Sequence, residues 1–251
     1  MRGSEVKVAF SEGEVERYAR HLVLREVGGP GQQRLKAARV LIVGAGGLGS
    51  PAALYLAAAG VGRITLSDDD HVSLSNLQRQ VLFATGDVGQ AKTAAAAEHL
   101  TALNPHVVVE PAPAVTGSNV AGLVAGHDLV LDGTDNFETR LLVSDACLAA
   151  RIPLVSGAIG RWTGQVGVFV GRPCYRCLVP EVPPDAETCV AVGVVGALAG
   201  VIGSMMALEA VKLITGAGEA LGGRLLIYDG LNGESRTVRV GADPACPACA
   251  R

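Results

Sequence analysis

The segment from Arg39 to Gln80 constrains this chain more than any other. Arg39-Val40-Leu41-Ile42-Val43-Gly44 is an almost unbroken apolar run, the pattern that a parallel strand buried on both faces requires. The turn Gly44-Ala45-Gly46-Gly47-Leu48-Gly49 opens a helical stretch through Ala59, and Arg63 to Asp68 reads as a second strand. In that order each glycine has its own task. Gly44 permits the tight turn, Gly46 lets backbone approach a phosphate, and Gly49 lets helix and strand pack closely. Asp68 closes the second strand, where it would accept hydrogen bonds from ribose hydroxyls. A Gly-rich turn without a ligand is the plainer alternative, and it leaves strand, turn, helix and acid in order unexplained.

The glycine motif alone does not separate adenylate from dinucleotide. Four residues beyond it do. Asn76 and Arg79, in Ser73-Leu74-Ser75-Asn76-Leu77-Gln78-Arg79-Gln80, join Lys92 and Asp135 at one end of the expected sheet. Hydride transfer has little use for two cations beside the phosphates. Attack at phosphorus by an anion needs neutralised phosphate oxygens and a carboxylate to hold Mg²⁺. Singly, each has an ordinary reading: Arg79 and Lys92 as solvated helix charges, Asp135 as a helix cap, Asn76 as a turn former.

The rest of the chain extends the alternation of strand and helix. An amphipathic helix with Val15, Tyr18, Ala19 and Leu22 at helical spacing follows a Ser11-Glu12-Gly13-Glu14 capping-box signature and runs to about Leu24. Further helix is predicted from Val88 to Leu103, a short β run from His106 to Glu110, a strand from His127 to Asp132, a helix from Phe137 to Arg151 and a strand from Pro153 to Ser156. Beyond Gly157 the rhythm changes to strand patterns at Gly164 to Val170, Arg224 to Tyr228 and Ser235 to Val240. The expected fold is α/β: a Rossmann-like, doubly wound mixed sheet with an N-terminal helical segment and a C-terminal antiparallel portion. One domain is favoured over residues 1–251, with helices at about 11–37, a nucleotide-binding half at about 38–156 and a second half at about 157–251.

Composition excludes some classes. A net charge of -3, without a Lys/Arg run, does not suit nucleic-acid binding. The charged start Met1-Arg2-Gly3-Ser4-Glu5 lacks a signal-peptide core, so a cytoplasmic location is expected. The uncharged stretch from Cys189 to Leu208 is diluted by Gly, Ala and Ser and followed by Glu209 and Lys212; it reads as a buried helix, not a membrane span.

Cys174-Tyr175-Arg176-Cys177 and Cys246-Pro247-Ala248-Cys249 are two C-x-x-C pairs, the ligand set of a closed tetrahedral zinc site that would staple the C-terminus to the domain. Disulfides are disfavoured in a cytoplasmic chain, and a redox pair would not explain the second pair. Cys189 follows Pro183 to Thr188, a loop, and precedes the apolar helix, whose dipole would lower its pKa; acyl acceptor and small helix-start residue are both open readings. Cys147 reads as core. His21, His71, His99, His106 and His127 show no metal-ligand spacing.

Taken together, Arg17-Tyr18-Ala19-Arg20, Gly44 to Gly49, Ser73 to Gln80, Lys92, Leu131 to Asn136, both cysteine pairs and Thr188-Cys189 resemble the ThiF/MoeB/HesA family, bacterial relatives of ubiquitin-activating enzymes, from about Glu14 to Cys249. The resemblance implies ATP held by Gly47, Asp68, Asn76, Arg79, Lys92, Asp135 and Asn136, with Gly44, Gly46, Gly49 and Ser75 completing the candidate set and Asp135 serving Mg²⁺. Arg20 resembles the arginine that reaches the phosphates of the neighbouring subunit in a homodimer. The implied reaction is adenylation of the C-terminal Gly-Gly tail of a ubiquitin-like sulfur carrier, MoaD- or ThiS-like, before thiocarboxylate formation. The small residues from Gly157 to Gly164 suit a narrow channel for that tail.

Two departures stand out. Asp68-Asp69-Asp70 replaces a run whose middle residue is commonly apolar, and Asp68 is chosen as ribose reader because it closes the strand. The sequence stops at Arg251 without the rhodanese-like domain of some relatives, so a separate sulfur donor is expected. Two other readings compete: a nicotinamide-dependent oxidoreductase, which leaves Arg79, Lys92 and the cysteines unused, and a non-catalytic dimer partner, which should have lost the phosphate-handling residues.

Overall fold

The computed structural model describes residues 9–182 and 193–250. The capping box forms as expected: Ser11 Oγ accepts from the Glu14 amide and Glu14 Oε2 accepts from the Ser11 amide. The first helix is nonetheless divided, α1 at Glu12–Arg17 and α2 at Ala19–Leu22. Tyr18 explains the break. Its ring is buried over Gly60, where an added Cβ would stand 2.5 Å from it, and its hydroxyl accepts from Asn104 Nδ2 at 2.9 Å. The N-terminal segment is thus pinned to the nucleotide fold. Helix α3 (Gly28–Ala37) leads into β1 (Arg39–Val43).

Next come α4 (Gly49–Ala59) and β2 (Arg63–Ser67). Helix α5 begins at Lys92 and ends at Leu103, four residues later than its apolar spacing suggests. The reason is a local strap. Val72 donates to the Gln90 carbonyl, Gly89 to Val72 and Lys92 to Asp70, so 89–91 are committed to the chain after β2. Strand β3 (Val108–Ala112), α6 (Val120–Ala125), β4 (Leu129–Asp132) and α7 (Phe137–Ala150) follow.

Strand β5 (Leu154–Gly160) is longer than expected because it hairpins with β6 (Thr163–Phe169), from Leu154↔Phe169 to Gly160↔Thr163. After the long helix α8 (Gly196–Thr215), β7 (Arg224–Asp229) and β8 (Glu234–Arg239) complete one sheet in the order β3-β2-β1-β4-β5-β6-β7-β8. The first five strands are parallel and β6 to β8 antiparallel.

Alternation along β1 divides the core. Val40 and Ile42 face a layer containing Leu56, Leu100, Ile202 and Met206, while Leu41 and Val43 face Val124, Val143 and Cys147. Burial on both faces is what turned that strand into an apolar run. Helix α8 is the one described helix apolar and long enough to cross a bilayer. It packs instead on α4, β5 and β6, with Leu198, Ala199, Ile202, Met206 and Ala210 buried. Glu209 and Lys212, read as following the helix, lie inside it, where buried Glu209 accepts from Lys212 Nζ and from the Leu221 amide. Helix α8 also accounts for glycines assigned to a tail channel. A Cβ on Gly157 would stand 2.3 Å from Met206 Sδ, and one on Gly164 2.3 Å from Ile202 Cγ1. Those two glycines admit the helix, while Ala158, Ile159 and Gln165 face the cleft.

Candidate nucleotide cleft and cysteine cluster

The carboxyl ends of β1, β2 and β4 open into a cleft of about 660 Å³. Strands β1 and β4 are neighbours from which the chain winds in opposite directions, the switch point where open α/β sheets bind ligands. Gly44, at φ +89°, turns the chain off β1. A Cβ on Gly49 would lie 1.8 Å from the Gly44 carbonyl oxygen, so the third glycine is fixed by backbone contact. At Gly46 the nearest atom to such a Cβ is Gln80 Nε2 at 3.7 Å, which leaves the cleft side open.

Asp68 stands over this turn. Its Oδ2 accepts from the Ala45 amide at 2.8 Å and its Oδ1 from the Asp70 amide at 2.8 Å. Lys92 is no solvated helix charge: its side chain is 5% exposed, its Nζ lies 2.7 Å from Asp70 Oδ2 and 4.0 Å from Asp68 Oδ1. Arg79 runs along Gly47 and donates to the Ser75 carbonyl at 3.1 Å, without a carboxylate partner among the described residues.

Across the cleft, the loop after β4 settles which residue caps α7. Asn136 does so, Oδ1 accepting from the Thr139 amide at 2.8 Å. Asp135 is therefore not a cap; exposed, it lines the cleft with no hydrogen bond or ion pair among the described residues. Beneath it, fully buried Asp132 accepts from Thr134 N and Oγ1 and from Ser156 Oγ.

The cleft gathers Gly44, Gly46, Gly47, Asp68, Asn76, Arg79, Lys92, Asp135 and Asn136. It does not gather all candidates. Gly49 acts behind the turn, Ser75 is exposed and pairs with Ser73 Oγ, and Arg20 is exposed on α2 away from the lining. Cys189 lies outside the described residues; the apolar helix expected from Cys189 begins instead at Gly196, with Val195 extended as its N-cap, so the end of its dipole is not at Cys189.

Three further lining residues are not among the candidates that the sequence singles out. Gln80 is buried, and its Oε1 lacks a hydrogen-bond partner among the described residues. A buried, unpaired carboxamide in a cleft fits a polar ligand better than an empty groove. Arg140 is buried with Val143, Ser144 and Cys147 on one stripe of α7 and donates from Nη2 to the Thr134 carbonyl. Its legible signal was a cation on an otherwise small and apolar stripe. Tyr175, between Cys174 and Cys177, is 3% exposed; burial pushes its hydroxyl pKa up while Arg140 opposes.

The two cysteine pairs meet. Cys174 Sγ lies 3.6 Å from Cys246 Sγ and Cys177 Sγ 3.4 Å from Cys249 Sγ, with all four sulfurs within 4.8 Å of one another. A tetrahedral zinc with bonds of about 2.3 Å separates its sulfurs by about 3.8 Å, so the cluster fits that ion. Burial pushes the Cys246 thiol up, but hydrogen bonds to the Cys249 and Ala248 amides and to the Cys174 and Cys249 side chains together lower its pKa to about 7.

A glycine turn at a switch point, an acid above it and opposed cations and carboxylates define a Rossmann-type nucleotide-binding protein. The chain belongs to the ThiF family, whose model matches residues 18–248. It is 50% identical over 240 residues to the SAMP-activating enzyme E1 of Haloferax volcanii, covering 94% of this chain and 89% of that protein. It is 47% identical over 251 residues to the sulfur carrier protein adenylyltransferase of Thermus thermophilus, covering 96% and 92%. The crystal structure of E. coli MccB with MccA-N7isoASN shares the fold at 23% identity, with a TM-score of 0.83 over 96% of this chain and 76% of that one.

Proposed function

We propose that this chain is an ATP-dependent adenylyltransferase acting on the C-terminal glycine of a ubiquitin-like sulfur carrier. The observation that carries the reading is that Arg79 and Lys92 share one cleft with the glycine turn and with an uncommitted Asp135. The ThiF-family relatives named as activating and adenylyltransferase enzymes support it.

In this reading, Asp68 holds the ribose and the Gly46 and Gly47 amides approach the phosphates. The carrier carboxylate attacks the α-phosphorus, an acyl-phosphate bond forms, and the α–β bridging oxygen leaves with pyrophosphate. Charge migrates to the leaving group, where Arg79 and Lys92 offset it. Lys92 starts on Asp70, and a triphosphate, with more charge than one carboxylate, competes for it. Asp135 would hold Mg²⁺, which supplies further neutralisation of phosphate oxygens. Arg20 is assigned to the neighbouring subunit's cleft in a homodimer. The four clustered cysteines hold structural zinc.

Residues 1–251 act as one adenylation unit in the cytoplasm. A dehydrogenase has no use for the paired cations, and a non-catalytic partner would not keep Arg79, Lys92 and Asp135 in one cleft and retain Arg20 as well. The test is carrier-dependent exchange of pyrophosphate into ATP with each candidate carrier of the same organism. Asp135→Ala and Arg79→Ala should abolish exchange while leaving the fold intact; normal exchange in either variant overturns the mechanism.

A further inference from the structure

Three side chains meet the glycine turn in order along it. Asp68 Oδ2 accepts from the Ala45 amide at 2.8 Å, Gln80 Nε2 stands 3.7 Å from where a Cβ on Gly46 would lie, and Arg79 Cγ stands 3.5 Å from the same place on Gly47. The groups of a nucleoside triphosphate follow one another in that order: ribose, α-phosphate, then the β- and γ-phosphates that carry most of the charge. Gln80 takes the middle position. Its backbone is fixed there, the amide donating to the Asn76 carbonyl at 3.0 Å and the carbonyl accepting from the Phe83 amide at 3.1 Å. The side chain is 4% exposed and lines the cleft, its Oε1 is sealed off without a hydrogen-bond partner, and its Nε2 donates to none of the described residues. A buried, unpaired carbonyl oxygen is destabilising, so this orientation is kept against a cost. Turning the carboxamide over would set its oxygen beside the turn, where it would repel a phosphate.

We propose that Gln80 is a further catalytic residue: its Nε2 donates a hydrogen bond to a non-bridging oxygen of the α-phosphoryl group under attack. The proposal rests on the adenylation reading above and adds a neutral donor to its phosphate-binding set. Neutrality suits this position. The carrier carboxylate must reach the α-phosphorus, and a full cation there would hold that nucleophile by its charge. An amide N–H favours charge on the equatorial oxygens during transfer without doing so. Arg79 and Lys92 serve the departing pyrophosphate instead.

The full chain, as wild type and as Gln80→Met, is titrated with ATP and with each diastereomer of ATPαS in the presence of Mg²⁺. Sulfur accepts hydrogen bonds poorly, so the penalty for one diastereomer relative to ATP should be about tenfold smaller in Gln80→Met than in wild type. Equal penalties in the two chains for both diastereomers overturn the contact. Because the variant removes an unpaired buried oxygen, its thermal midpoint should equal or exceed that of the wild type; a lower midpoint with the penalty intact makes Gln80 a packing residue. In carrier-dependent pyrophosphate exchange, kcat of the variant should fall about a hundredfold with KM for carrier unchanged. A kcat within twofold of wild type overturns the catalytic role. Wild type that binds ATP but exchanges pyrophosphate with no candidate carrier overturns the adenylation reading instead, and the titration still decides the Gln80 contact.

Discussion

Lys92 Nζ lies 2.7 Å from Asp70 Oδ2 with its side chain almost fully buried, at a point where the chain after β2 and the first residue of α5 are held together. The buried ammonium is held here by carboxylates that a polyanion can displace. The pair is thus both a fold contact and a parked cation.

Lys92→Met keeps much of the buried stem and removes the charge. Carrier-dependent pyrophosphate exchange should fall about a hundredfold or more, because a preorganised cation in a closed site is lost. Circular dichroism should remain that of the wild type. Exchange within a few-fold of wild type would return Lys92 to a structural role.

The glycines divide by what surrounds them. Gly49→Ala places a Cβ 1.8 Å from a backbone oxygen, and the expected cost exceeds about 3 kcal/mol, read as insoluble or early-melting protein. Gly46→Ala meets only Gln80 Nε2 at 3.7 Å, so denaturant unfolding should shift by less than about 1 kcal/mol while KM for ATP rises about tenfold. Equal unfolding midpoints for the two variants would contradict this division.

Much of this was legible because local chemistry and tertiary context agree. The β1 run, the glycine turn and Asp68 each carry their reason in adjacent residues. The cysteine pairs were legible because few other arrangements use two C-x-x-C units. What escaped depends on distant contacts. The break at Tyr18 comes from Asn104 and Gly60, the late start of α5 from a strap to Val72, and the Gly157 and Gly164 sites from α8. Arg140 and Tyr175 line one cleft only when α7 meets the cysteine loop, and neither side chain announces that in its own segment.

At the amino end of β1, Arg39 holds Asp128 through its backbone amide and guanidinium, which keeps the Asp128 carboxyl below the usual carboxylate range despite partial burial. A depressed folded pKa stabilises above the unfolded value of about 3.9, and that contribution is lost as pH falls through the folded pKa. Asp128→Asn should therefore lose less stability than wild type between about pH 5 and pH 3, with a difference at pH 7 below about 1 kcal/mol because the pair is half exposed. Parallel urea midpoints across that range would refute it.

The cysteines should sort themselves chemically. Cys147 is buried on α7, and burial, with the Asp132 charge adding, pushes its thiol up to about 12. At pH 8 only about one thiol in ten thousand would then be ionised, so Cys147 should resist iodoacetamide in the folded protein. Cys174, Cys177, Cys246 and Cys249 should be masked while zinc is bound and become labelled together after chelation, since losing the ion frees all four at once. Peptide mass spectrometry reads each site. Labelling of the four before chelation would argue against the metal, and labelling of Cys147 at their rate would argue against its burial. Cys189→Ala completes the set: sulfur transfer should fall while adenylation persists, and full rates in both would leave Cys189 without a chemical role.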